Sequence, residues 1–328
     1  MTKLLLVLSV LLASFQAQAI TLKIATISPD GTAWMKELRK AAADIKQQTS
    51  GRVKIRFYPG GVMGNDKNVL RKMRIGQLHG GAMIGGGLGQ IYPDSQIYSL
   101  PFAFRNTEEV DFVRARMDDV ITQGLYERGY VSFGLAEAGF AYLMSNKPIS
   151  GIADLNDRKV WVPEGDVISQ MAFEAVGVSP ISLPLPDVLT ALQTGLIDTV
   201  GASPIGAIAL QWHTRVKYVT DTPLMYLYGI LIVSRKAFDR IKPEDQQVVR
   251  ATLIDVFQRL NKINRQDNEQ ARHALAAQGI EFIRPSEEEK AHWDRAIKGR
   301  LIENRGNGYF SKAILDKLLT NLDAARKQ

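Results

Sequence analysis

The sequence predicts an α/β protein of two domains, and three observations carry that prediction. The chain has 328 residues, beyond the roughly 250–300 at which single cores stop growing. Its apolar periodicity switches repeatedly between 2 and 3.6, the mark of strands alternating with helices. From Pro243 to about Gln278 no glycine or proline intervenes, so a helix of about 50 Å is predicted at 1.5 Å per residue. That exceeds the width of one small domain, and the helix is expected to brace both domains along their backs.

The first residues read as a leader. Lys3 precedes an apolar run from Leu4 to Leu12, and Ala17-Gln18-Ala19 supplies the small-x-small ending for cleavage before Ile20. The run is about half the ~20 residues that a membrane-spanning helix needs, so residues 1–19 are expected to direct export and be removed. No later apolar run is comparable to a span. The chain has no cysteine, which excludes disulfides, thiolate metal sites, a thiol nucleophile and a lipidated cysteine at the new N-terminus. Free diffusion in a periplasm, as a monomer, is the expectation. The 41 basic and 34 acidic residues leave a charge of +7. Short basic stretches such as Arg71-Lys72-Met73-Arg74 lie on a helix whose other face is apolar, so a solvated face is expected and no nucleic-acid partner.

The mature chain opens with a βαβ unit. A strand from Leu22 to Ile27 leads through Ser28-Pro29-Asp30-Gly31 into a helix starting near Thr32. Trp34, Leu38, Ala41, Ala42 and Ile45 form its apolar stripe, and Ser50-Gly51 ends it. Val53, Ile55 and Phe57 alternate with Lys54 and Arg56 as a strand, and a helix from Asp66 to Ile75 follows. Between Lys159 and Thr220 the alternation is most regular. Strands are predicted at Val160 to Val162, Ile181 to Leu183, Ile197 to Gly201 and Val216 to Val219. Helices run from Val167 to Val176, Pro186 to Thr194 and Pro204 to Trp212. Such a βαβαβαβ pattern implies parallel strands, with ligands beyond their carboxyl ends. Tyr226 to Val233 is a further strand, Pro243 suits the first position of the long helix, Ser286 with Glu289 spells a capping box, and Ser311 opens the last helix.

Several features that resemble catalytic motifs read more simply. The stretch Gly80 to Gly89 lacks the Gly-Lys-Ser/Thr ending of a phosphate loop and the spacing of a dinucleotide turn. A strand that ends in a tight, open turn fits it better. Asp198 has no partner carboxylate or histidine near it in sequence and is assigned a structural hydrogen bond. His79, His213, His273 and His292 are isolated and show no metal-ligand spacing, and Ser203 does not sit in a nucleophile elbow. No catalytic residue, metal site or cofactor is therefore predicted.

Taken together, several segments resemble the substrate-binding subunit of TRAP (tripartite ATP-independent periplasmic) transporters, the DctP branch. They are Tyr58 to Asp66 (YPGGVMGND), Leu100 to Arg105 (LPFAFR), Ser145 to Ile149 (SNKPI), Ala153-Asp154-Leu155, Val162-Pro163 and Ala191 to Asp198 (ALQTGLID). Their order matches the family across essentially the whole mature chain. The resemblance implies a periplasmic binding protein fold, with two α/β lobes joined by crossing segments and a ligand cleft between them. The lobes are expected at 20–139 with 229–267, and at 140–228 with 268–328. It also implies a small-molecule ligand and delivery to small and large integral-membrane permease subunits driven by an ion gradient, with room for an additional periplasmic partner.

Two departures from the family stand out. Arginines that bind the ligand carboxylate in relatives correspond here to Trp161, just before Val-Pro, and to Ala141, on the strand crossing between lobes. A guanidinium gives a carboxylate a planar two-pronged donor, and a buried carboxylate without such a partner is poorly compensated. The other positions that the resemblance assigns to the ligand are apolar or small: Ile84, Gly85, Leu185, Ala202 and Ser203. A neutral or substantially apolar ligand is therefore expected. Trp161 reads equally as a ligand platform or a core aromatic. Trp34 and Tyr142 are further ligand candidates, Tyr226 and Tyr228 could line the cleft or pack between lobes, and Trp212 is expected to pack. The alternatives are an exported α/β hydrolase or isomerase, and a sensor or scaffold that keeps the fold without transport.

Overall fold

A computed structural model describes residues 19–303 and 309–327. The predicted leader, up to residue 18, lies outside the described residues.

Two lobes share one long strand. In the first lobe, β1 (Ile20–Thr26) lies between β2 (Val53–Tyr58) and β3 (Gly80–Ile84) and is parallel to both. Strand β4 (Tyr130–Ser145) starts in this lobe and β9 (Met225–Ser234) ends in it. Strand β9 pairs antiparallel with β3 on one side and β4 on the other. The last residues of β4 cross into the second lobe, where they pair antiparallel with β7 (Thr199–Ala202) and β8 (Tyr218–Thr220). Strand β10 (Glu281–Ile283) adds parallel to β8, and the short parallel pair β5 (Trp161–Pro163) and β6 (Ile181–Leu183) is tied to β7 by a bridge from Val160 to Thr199.

The parallel sheet expected over 159–220 is therefore only partly formed, because β4 runs antiparallel through it. Only the family resemblance implies a strand here, at Ala141, and periodicity does not mark β4, for a physical reason. Its alternation breaks at two register shifts, beside Gly134 (φ 112°) and Gly139 (φ 92°), and each shift moves the side chains to the opposite face.

Helices cover both faces of each sheet, as a largely buried sheet requires. In the first lobe, α1 (Ala33–Gln48) buries Met35, Leu38, Ala41 and Ile45 on one face. Thr32 caps it by accepting from the Met35 N–H at 3.3 Å, as the sequence predicts. On the opposite face lie α2 (Asp66–Arg74), α3 (Thr107–Glu127) and α10 (Lys312–Ala325). The last of these lies apart from the expected division, which puts 268–328 in the second lobe. Ile314, Leu318 and Leu322 instead join the first lobe's core. Arg326 donates to Glu109 at 2.8 Å and Ser311 to Asp94 at 2.7 Å, anchoring both ends of α10.

The second lobe has α4 (Val167–Ala175), α5 (Val188–Thr194), α6 (Pro204–Ala209) and α9 (Glu287–Glu303) around its strands. Residues 212–215 form a separate 3-10 turn, so the helix predicted from Pro204 stops three residues early. The predicted capping box is half made. Ser286 Oγ accepts from the Glu289 N–H at 3.2 Å, while the Glu289 carboxylate accepts from Ile152 N–H instead. Arg235–Phe238 is a single turn, α7.

The long helix α8 runs from Pro243 to Ala277. Its first half buries Val249, Leu253, Val256, Phe257 and Leu260 in the first lobe, and its second half buries Ala271 and Leu275 in or beside the second. Between these halves it grips β4 at the crossing. Asn261 Oδ1 accepts from the Glu137 N–H at 2.7 Å, Asn264 donates to the Glu137 carbonyl, and Asn268 donates to the Ala138 carbonyl at 3.2 Å. Arg265 donates to the Glu137 carboxylate at 2.7 Å. Burial pushes the Glu137 carboxyl upward, with Arg265 opposing.

Candidate functional site

The carboxyl ends of parallel strands are where backbone groups fan out and side chains of successive loops converge. Here those ends face one another across the lobes. From the first lobe, β1 delivers Thr26, Ile27 and Ser28, and β3 delivers Ile84. From the second, β6 leads to Leu185 and β7 to Ser203, with Ile205 and Leu210 following on and after α6. Trp34, Gly229, Asn264 and Asp267 complete a wall around a cavity of about 250 Å³. A wider hollow of about 730 Å³ between α3 and α8 is an open surface groove. Two of its ion pairs join Arg265 to Asp111 and Arg114 to Asp118.

The cavity wall is mainly aliphatic and aromatic. Trp34 packs edge-on against Phe257 at 5.6 Å and lies over Gly229, where an added Cβ would stand 2.6 Å from the indole. Glycine at 229 thus allows the outer edge of the ring to approach the strand. The hydroxyls on the wall are largely committed. Thr32 donates to the Pro29 carbonyl at 3.0 Å, Thr26 accepts from the Ser28 N–H at 3.1 Å, and Ser203 caps α6 by accepting from the Gly206 N–H at 3.3 Å. No lysine, arginine or histidine borders the cavity among the described residues, and Asp267 is the one charged side chain there.

Of the residues singled out in the sequence, the structure brings Trp34, Ile84, Leu185 and Ser203 together on this wall. Gly85 follows Ile84 in a 3-10 turn, Gly85–Leu88, at the end of β3. Ala202 is buried in the second lobe's core. Trp161 is not on the wall. It is 4% exposed, packs edge-on against Trp212 at 5.1 Å, and donates its indole N–H to the Leu183 carbonyl at 3.0 Å. It belongs to the same cluster as Leu185, one layer behind the cavity. Tyr142 packs against that cluster too, with the Arg272 guanidinium 5.8 Å from its ring. Ala141 is buried opposite Met225.

The remaining candidates lie off this wall. Trp212, Tyr226 and Tyr228 are buried. Tyr226 accepts from Arg114 at 3.0 Å, and Tyr228 donates to the Ser95 carbonyl. Asp198 holds the Lys159 N–H at 3.0 Å and the Thr199 hydroxyl at 2.8 Å. Among the described residues, no group of three or more histidines and carboxylates could hold a metal ion, and no helix is long and apolar enough to cross a membrane.

The sequence reading missed Asn264 and Asp267. On a helix that is charged along most of its length they look like part of a solvated face. A cue was present, because Asn261, Asn264 and Asn268 recur at spacings of three and four, which sets three short amides on one side of α8.

The profile of bacterial extracellular solute-binding protein family 7, DctP, matches residues 24–303. The C4-dicarboxylate-binding periplasmic protein DctP of Rhodobacter capsulatus is 23% identical over 287 residues, 86% of this chain and 85% of that protein. The sugar acid binding protein of Advenella mimigardefordensis, solved with galactonate, is 19% identical. It superposes with a TM-score of 0.87 over 94% of this chain and 99% of its own. A TRAP periplasmic solute-binding protein from Sulfurospirillum deleyianum, solved with succinate, is 21% identical with a TM-score of 0.84 over 94% and 99%.

Proposed function

Because the chain belongs to bacterial extracellular solute-binding protein family 7, the DctP family, we propose that it is a periplasmic receptor whose lobes close on a small organic molecule. The receptor hands that molecule to the small and large membrane subunits of a TRAP permease and performs no chemistry of its own. Residues 1–19 serve as its export signal, and it acts as a monomer. Its lobes are 20–139 with 229–267 and the last helix from Ser311, and 140–228 with 268–303.

The observation that carries this reading is the cavity between the lobes, built from strand ends of both and lined mainly by apolar side chains. Its character also favours a neutral or largely apolar ligand. The two solved structures named above hold galactonate and succinate, both acids, and the Rhodobacter capsulatus relative is named for C4-dicarboxylate binding. A carboxylate enclosed here would meet no cation on the wall, and hydrogen bonds to charged groups are worth ~1.5–3 kcal/mol each. The indole of Trp161 supplies no substitute, since its N–H is already bonded to Leu183.

A melting screen tests the reading. A compound at 100 times its Kd adds ~2.7 kcal/mol, a rise of roughly 5 °C for a chain of this size. Neutral, largely apolar compounds are expected to give such rises and small organic acids to give none. Stabilisation by succinate or sugar acids, with no response to any neutral compound, would overturn the ligand assignment.

A further inference from the structure

We infer that Asp267 selects the cargo: the cavity takes a mostly apolar molecule that presents a hydrogen-bond donor, a hydroxyl or a protonated amine, to this carboxylate, and it turns carboxylates away. The inference rests on the cavity between the lobes being the ligand site.

Three features of the wall lead there. Asp267 is its one charged side chain among the described residues, and no hydrogen bond or ion pair joins that carboxylate to another described residue. Two carboxylates that bond to α8 near the crossing have an arginine instead, Glu137 with Arg265 and Asp221 with Arg272, each at 2.7 Å. A carboxylate facing an apolar cavity is poorly solvated once water leaves, unless a donor takes the water's place. The second feature is Asn264, one turn away on the same helix. Its amide nitrogen is held by the Glu137 carbonyl, which leaves its oxygen as a second acceptor. With the Asp267 carboxylate, that oxygen sets two neighbouring acceptors of α8 on the cavity wall.

The third feature is position. Asn268, one residue beyond Asp267, accepts from the Ile205 N–H of the second lobe at 3.2 Å while donating to the Ala138 carbonyl of β4. Asp267 therefore sits where α8 touches both the crossing strand and the opposite lobe. A donor that reaches it is seated at the joint on which closure turns.

The test uses four probes on a common ring: cyclohexylmethanol, cyclohexylmethylammonium, (methoxymethyl)cyclohexane and cyclohexanecarboxylate. Each is titrated calorimetrically into protein stripped by unfolding and refolding. The alcohol and the ammonium are expected to bind about tenfold or more tightly than the ether and the carboxylate, the effect of one charge-assisted hydrogen bond. Asp267→Asn should reduce the preference for ammonium over carboxylate about tenfold, and Asp267→Lys should admit the carboxylate. Equal preference in the wild type and Asp267→Asn overturns the inference, as does carboxylate binding that matches ammonium binding in the wild type. So does a lack of alcohol and ammonium binding at millimolar concentration. Ala209→Trp, which fills the cavity from α6, separates the two levels. If it abolishes binding while Asp267→Asn changes nothing, the site stands and the role of Asp267 falls. If it leaves binding intact, the cavity is not the site.

Discussion

The Trp161 ring faces Trp212 and its N–H is bonded to Leu183, so both recognition handles of the side chain are used inside the second lobe. Its contribution is then to packing, and Trp161→Ala should destabilise the protein by about 3–5 kcal/mol, read from urea unfolding. Trp34 behaves differently, because it borders the cavity and depends on the bare backbone of Gly229. Gly229→Ala should displace the ring, costing about 1–3 kcal/mol and shifting tryptophan fluorescence, with the strand pairing intact. A strand tryptophan is apolar in either setting, so sequence pattern alone left Trp161 open between wall and core. The difference lies in a neighbouring strand's carbonyl and in a second tryptophan 51 positions along the chain.

Helix α8 shows which elements local signals specify. Pro243 at its start, the glycine after its end and its unbroken interior made its limits readable to within a residue or so. Strand β4, the longest among the described residues, is implied only by the family resemblance at Ala141, because its two bulges disturb the period that identifies strands. Helix α3 carries a regular stripe of Val110, Val113, Met117, Ile121 and Leu125, legible in the sequence although no element is assigned to it there. The contact between α8 and β4 joins residues more than 120 positions apart, beyond the reach of any window. Asn261 is its centre, accepting from both Glu137 N–H and Arg114. Asn261→Ala should cost about 1–3 kcal/mol by stranding the Glu137 N–H, measured by urea unfolding. Gly139→Ala should destabilise as well, because φ there is 92° and an added Cβ would stand 2.5 Å from the Asn268 amide.

At the scale of the whole molecule, charge pairs tie distant segments together and set the acid limit of stability. Hydrogen bonds from Arg52 hold the Asp245 carboxyl below its usual range, fastening the turn before β2 to the start of α8. At Glu109 burial raises the carboxyl, but Arg326 and the Arg105 N–H outweigh it and the net direction is down. Groups depressed in the folded state give stability that is present above the unfolded carboxylate range and lost as pH falls through their lower folded values. Asp66, pushed up to about 7 by burial, adds stability as pH falls from neutrality toward about 5, and the paired carboxylates take stability away below about 4. Glu137, raised by burial, works in the opposite sense and softens that drop. Arg326→Ala should flatten the acid limb in melting curves. The two-lobe architecture was readable from length, alternation and the long helix, whereas the placement of α10 on the first lobe depends on Glu109 and Asp94 and was not.

The central claim is that the lobes enclose a molecule without a carboxylate, and native mass spectrometry of protein taken directly from cells tests it most directly. A co-purified neutral or largely apolar compound that is lost on unfolding is expected. A small dicarboxylate or sugar acid at full occupancy would contradict it.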